Sequence, residues 1–286
     1  STSAATGSGN DNIEIDNCRI RDLSNIAGTP ANGVFALGTA ARENNNLLFT
    51  NNEIYNFWQV ATACNGVFIS TNNTEITITG NSFYQSVSRT GTGAITRTAI
   101  QINNTTANNI TIENNFIGGT SAAASGSAMS ITGNINQSFI GIWHNVATTS
   151  SNISVQNNTI RNIDLSHGTT ANTAIFTGIL HTAGNANISG NNIGNNTGTG
   201  NIIVNSNIAG INGAIGISAT SGANAINNNT IGAINLVGSG VTIGMGFTAI
   251  NLAGAGICTV NNNTIGSNST ANSINASAAV TSSYAV

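Results

Sequence analysis

A short phrase, apolar–x–apolar–x–Asn–Asn–x–apolar, returns along the whole chain, and a chain that repeats at this spacing has few folds open to it. It reads Ile13-Glu-Ile15-Asp-Asn17-Cys18-Arg-Ile20, then Leu47-Leu-Phe49-Thr-Asn51-Asn52-Glu-Ile54 and Ile76-Thr-Ile78-Thr-Gly80-Asn81-Ser-Phe83. Ile110 to Ile117 and Ile153 to Ile160 follow, and looser copies start at Ala186, Asn224 and Cys258. The marker column is Ile15, Phe49, Ile78, Ile112, Val155, Ile188, Ile226 and Val260, with spacings of 34, 29, 34, 43, 33, 38 and 34. The second Asn column is Asn52, Asn81, Asn115, Asn158, Asn191, Asn229 and Asn263, and Cys18 replaces it in the first copy. The first Asn column holds Asn or Gly in every copy.

A second phrase lies between the copies, as in Gly33-Val-Phe-Ala-Leu37, Gly66-Val-Phe-Ile-Ser70, Phe139-Ile-Gly-Ile-Trp143 and Ala214-Ile-Gly-Ile-Ser218. Both phrases alternate with period 2 and are rich in β-branched residues, which predicts at least two short strands per repeat. Gly, Asn, Ser and Thr between them supply turns. Stacking each strand on its equivalent in the next repeat makes an all-β parallel β-helix. The expectation is one domain over residues 1–286, with about eight coils of roughly 34 residues and both ends in mid-coil. The marker column then forms an inward core column at about 4.8 Å per coil. The Asn column forms a ladder of amides bonded from coil to coil. Asn-x-Ser/Thr triplets such as Asn109-Ile-Thr111 coincide with the repeat and need no glycan to explain them.

Composition removes other classes. Only 5% of residues are charged, against about 25% in ordinary soluble domains. Lys is absent, and six scattered Arg cannot neutralise a phosphate backbone, so no nucleic-acid partner is expected. No apolar run is long enough for a membrane-spanning helix, and no membrane insertion is expected. With 40% hydrophobic residues and one Pro, the chain does not resemble a disordered one. Ser1 to Asn10 shows no basic or apolar leader pattern. Cys18, Cys64 and Cys258 are far apart and odd in number; they read as small core hydrophobes rather than a disulfide framework.

The phrases ISVQNNTI (Ile153 to Ile160), ITITGNSF (Ile76 to Phe83) and TVNNNTI (Thr259 to Ile265) resemble right-handed parallel β-helix repeats. Such repeats occur in the pectate-lyase-like superfold and in large Asn-, Thr- and Gly-rich bacterial surface proteins, notably of the Bacteroidota. The resemblance implies secretion, an extracellular or cell-surface location, and a stalk, filament or adhesin role. It also implies self-association, axial or lateral, or stacking on further repeats of a parent protein.

The same superfold hosts polysaccharide lyases and hydrolases. Polygalacturonase-like motifs are missing: Ser166-His167-Gly168 lacks its first Gly, and Cys18-Arg-Ile-Arg21 lacks the Lys. Of nine acids none lies beyond Asp164, so no catalytic carboxylate pair is assigned. Glu14, Asp16 and Arg19 read as a solvated face. His144, His167 and His181 read as three different places along the repeat, so no metal and no cofactor is expected. The primary expectation is a non-enzymatic structural or adhesive solenoid. The alternative is a carbohydrate-binding or polysaccharide-degrading β-helix, with Tyr55, Trp58 and Tyr84, beside Phe57, as a surface-glycan stacking platform; packing over the core is the preferred account of these rings. A third reading is an ice-binding face, with a row Thr77, Thr111, Ser154, Ser189, Ala225 and Thr259 that is irregular after its third member.

Overall fold

The computed structural model describes residues 9–22, 29–133, 136–167, 174–206, 212–238, 245–254 and 256–278; the side chains of His167 and Ala278 lie outside the description. Ser1 to Gly7, most of the Ala278 to Val286 tail and Gly168 therefore fall outside the described residues. Every element described is a strand, and all strand pairs between the named strands are parallel, making an all-β parallel solenoid.

Each phrase divides at its Asn pair. The apolar–x–apolar half enters a first sheet of eight strands, including Ile13–Asp16, Asn44–Thr50, Ile110–Glu113, Ile153–Gln156 and Thr259–Asn261. The half after the Asn pair enters a second eight-stranded sheet, with Glu53–Tyr55, Ser82–Tyr84 and Thr159–Ile160 among its members. The second phrase forms a third sheet of seven strands, among them Cys64–Ile69, Thr96–Asn104, Ser138–Val146, Phe176–His181 and Asn212–Ala219. A fourth, six-stranded sheet joins Arg89–Thr90, Met129–Thr132, Ile163–His167, Ile202–Ser206, Ile234–Gly238 and Ile274–Ala278. Four of its strands open on Ile-x-apolar, at Ile163, Ile202, Ile234 and Ile274, but at changing distances from the Asn pair, which is why the repeat alone does not single them out.

The two Asn of the pair do different work. The first position takes a left-handed backbone, with φ of 52° at Asn17, 54° at Asn51, 56° at Asn114, 55° at Asn157 and 66° at Gly190. Asn and Gly are the residues that accept this conformation at least cost, so the column alternates only between them. A further left-handed column holds Asn12, Asn46, Asn109 and Asn152, with Glu75 as its one acidic member at φ 55°.

The second position builds the ladder. Nδ2 of Asn52 donates to Oδ1 of Asn81 at 2.9 Å, Asn81 to Asn115 and Asn115 to Asn158 at 3.0 Å. Asn158, Asn191 and Asn229 continue to Asn191, Asn229 and Asn263 at 2.9 Å. Each receiving oxygen also accepts the backbone N–H of the preceding ladder residue, as Asn158 Oδ1 does from Asn115. The second amide hydrogen goes to the carbonyl of a core-column residue: Asn158 to Ile112, Asn191 to Val155, Asn229 to Ile188. Cys18 has no amide to offer, and its backbone N–H donates to Asn52 Oδ1 at 2.9 Å.

The core column is in register throughout: Ile15, Phe49, Ile78, Ile112, Val155, Ile188, Ile226 and Val260 are successive partners. Phe49 to Ile226 are buried. The ends differ from expectation: Ile15 is half-buried and Val260 is 40% exposed. A side chain in a stack is sealed by coils on both axial sides, and these two have a described neighbour on one side only. Cys64 is buried as expected of a core thiol, whereas Cys18 is exposed and Cys258 half-buried. The glycines of the second phrase make room for the first: a Cβ on Gly178 would lie 2.8 Å from the Ile193 side chain, and one on Gly216 2.9 Å from Ile231.

Replacing Asn158 by Ala would strand the Asn115 amide and the Ile112 carbonyl inside the stack. At about 1–3 kcal/mol per buried unpaired group, a loss of roughly 3–5 kcal/mol is expected. Asn263→Ala, at the half-buried end of the ladder, is expected to cost about 1 kcal/mol. Chemical unfolding midpoints of the two variants check this, and equal losses would contradict the ladder's role.

Candidate functional site

Three places in the stack carry more chemistry than packing requires. The first is a corner around Trp58. The inward column Cys64, Arg97, Phe139, Phe176, Ala214 and Phe247 is apolar except for Arg97, which is 2% exposed. Its guanidinium carbon lies 4.0 Å above the Trp58 ring. Nη1 donates to Gln137 Oε1 at 2.9 Å, and Nη2 to the carbonyl of Gln59 at 3.0 Å. Burial lowers the pKa of Arg97 and raises that of the Cys64 thiol, and Arg97 works against the latter shift. Such a site holds a cation by ring and carbonyls in place of a carboxylate.

The rings that the alternative reading offers as a glycan platform are buried, in line with the preferred account of packing over the core. Trp58 is 2% exposed, beneath Arg97, with Thr29 Oγ1 donating to its carbonyl. Tyr55 and Tyr84 stack on each other at 4.4 Å with 10° between their planes, and both are buried. Tyr84 donates its hydroxyl to Glu53 Oε2 at 2.8 Å, and burial together with Glu53 pushes its phenol pKa up. Parallel register puts each ring directly over the next, so ring faces meet each other instead of solvent.

The acidic residues also separate. Arg19 pairs with Glu53 at 3.1 Å across one coil, so it does not join Glu14 and Asp16. Asp16 accepts hydrogen bonds from Thr50 and Asn51, and these hold its carboxyl below the usual range. Asp164 is raised by burial, with an opposing hydrogen bond from Asn205. The expected ice-binding row is corrected in its fourth member: Ser154 faces Asn187, while Ser189 faces Gln156. Looser phrasing around Ala186 hid this two-residue difference.

The second place overturns the expected scatter of the histidines. His144 and His181 are register partners in the third sheet, both 0% exposed, with Nδ1 atoms 3.2 Å apart. Each lies five residues after one of two register-partnered phenylalanines, Phe139 or Phe176, and this shared offset is the sequence signal that locates them. Burial lowers the pKa of both rings. Among the described residues no group of three or more His, Cys, Asp or Glu is arranged to hold a metal ion.

The third place is a groove of about 390 Å³ on the outer face of the third sheet. Half-buried Trp143 and Leu180 share it with Ile140, Thr177, Ile215 and Ser218. Trp143 Nε1 donates to Thr182 Oγ1 at 3.1 Å, which fixes the indole across two coils. Among the described residues no charged side chain lines the groove.

Trp58→Ala is expected to destabilise the fold by about 3–5 kcal/mol, the cost of deleting a buried aromatic. Acrylamide is expected to quench Trp143 in a Trp58→Phe variant and to leave Trp58 nearly unquenched in a Trp143→Phe variant.

Comparison with known proteins gives no match to a family model, to a curated protein or to a solved structure.

Proposed function

We propose that this chain is a non-enzymatic structural or adhesive solenoid, a stalk or filament element of a bacterial cell surface, of the right-handed parallel β-helix kind. The observation that carries this reading is the ladder. Its buried amides join neighbouring coils directly, and the polar chemistry of the interior is directed along the stack axis. The outer face is nearly uncharged, which lowers the cost of bringing such surfaces together. The coil around residues 252–265 presents Leu252, Ile257, Val260 and Ile265, between 40% and 85% exposed. Apolar side chains on open strand edges favour the seating of a further coil, from the same polypeptide or from another copy.

Sedimentation velocity over a hundredfold concentration range, with electron micrographs of the same samples, tests the reading. Concentration-dependent rods are expected, and Val260→Asp combined with Ile265→Asp is expected to abolish them. Compact monomers at every concentration would count against self-association through this surface.

A second reading, carbohydrate binding, is favoured by the groove rather than by the tyrosine corner. A half-buried indole flanked by Thr and Ser hydroxyls suits the apolar face and hydroxyl rim of a neutral sugar. Titration with neutral oligosaccharides is expected to shift Trp143 fluorescence in the Trp58→Phe variant; an unchanged spectrum would remove the reading.

A further inference from the structure

The column that holds the two histidines is otherwise apolar. Ile69 and Ile102 precede His144, and Ala219 and Leu252 follow His181, each the register partner of the next. The rings meet edge-on, with centroids 5.4 Å apart and planes 67° from parallel.

Their protons can be placed from the partners. His181 Nε2 lies 3.1 Å from the Gly184 carbonyl, which accepts and cannot donate, so His181 carries its hydrogen on Nε2. Its Nδ1 is then a bare acceptor in the neutral ring. His144 must therefore carry its hydrogen on Nδ1 and donate it across the 3.2 Å gap. That leaves His144 Nε2 as a buried lone pair, and it has no hydrogen-bond partner. The arrangement is a chain with one polarity: His144 to His181 to Gly184.

No charge faces this chain among the described residues. The flanking strands Thr96–Asn104 and Asn212–Ala219 carry only Arg97, which is held in the Trp58 corner. The strands Ser138–Val146 and Phe176–His181 carry no ionisable side chain besides the two rings. In the first sheet, Ile110–Glu113, Ile153–Gln156 and Ala186–Ser189 carry only Glu113, which accepts a hydrogen bond from Ser154 on the outer face. A proton entering either ring would create a buried cation with no counter-ion. On Nδ1 it would also replace an acceptor by a second donor and break the bond between the rings.

We propose that His144 and His181 form an acid-sensitive latch between two neighbouring coils, closed while both rings are neutral and released when protons reach them. The latch draws on a hydrogen bond that the ladder does not supply, and it sits in the middle of the stack. Burial and the proximity of the second ring lower the pKa of His144, and burial lowers that of His181, against the opposing effect of the Gly184 carbonyl.

The direction follows from linkage. An opened coil has ordinary histidines, with pKa about 6.5, while the closed coil keeps both rings neutral. Above that value neither form binds protons, and stability does not depend on these rings. Below it the open form gains protons, and stability falls as the pH falls. Between pH 7.5 and 5.5 the opening equilibrium is expected to rise about 10-fold from His144, and by up to a further ~10-fold from His181.

Hydrogen exchange of residues 138–146 and 176–181 at the two pH values, corrected for intrinsic exchange rates, measures this rise in the full chain. His144→Leu with His181→Leu is expected to remove the pH response, and His167→Gln is expected to keep it. Imidazole ¹⁵N spectra of the unaltered protein give a readout that needs no variant. They are expected to show one Nδ1–H ring and one Nε2–H ring that do not titrate while the chain stays folded. Titration of either ring near pH 6.5 in the folded chain would overturn the proposal. So would an opening equilibrium that changes less than about threefold over the same interval.

Discussion

A primary amide has two donors and one oxygen that accepts twice, and the stack depends on that inventory being used in full. Inside this chain the Asn158 side chain donates to Asn191 and to the Ile112 carbonyl, and accepts from the Asn115 amide and backbone. No other side chain of this size offers both functions from one planar group. Because the bond runs between equivalent positions, it is made only when neighbouring coils lie in register at strand spacing. The ladder thus ties the corner of every coil to the apolar column beside it, and a slip would leave buried polar groups unpaired.

The same stacking rule governs everything else on the inside. Like meets like: Ile112 on Val155, Gly178 on Gly216, Tyr55 on Tyr84. Identical charges stacked at this spacing would repel, which accounts for a low charge content in a chain of this design. Among the described residues Arg89, Arg97, His144 and His181 nevertheless lie in inward columns, and Arg89 donates its Nε–H to Gln85 Oε1 at 2.9 Å. Arg97 lies against an indole and carbonyl oxygens, and the two histidines share one hydrogen bond. The exposed groove around Trp143 belongs to the outward rows of the same strands, so the third sheet carries unusual side chains on both faces.

Much of the fold was legible. The Asn pair marked a corner, the spacing between copies measured the coil, and the alternation of Ile and Val marked the strands. The Asn-or-Gly rule at Asn17, Gly80 and Gly190 already pointed to a left-handed backbone. The fourth sheet was not legible, because its Ile-x-apolar strands start 5 residues after Asn158 and Asn229 but 11 after Asn191 and Asn263, so they fall out of step with the Asn columns. The histidine pair was present as a common offset from Phe139 and Phe176, but a repeat defined by Asn columns does not weigh that position.

What the residues alone determined was periodicity: which positions recur, which of them are apolar, and which amides are free to stack. These are local properties, since strand alternation and turn preference act within a few residues. What only the tertiary structure decided was exposure. Trp58, Tyr55 and Tyr84 have the same aromatic chemistry as Trp143, yet they are buried and Trp143 is not, because burial depends on which face of which sheet a column occupies. That choice is made by coils 29 to 43 residues away, through contacts that no local pattern records.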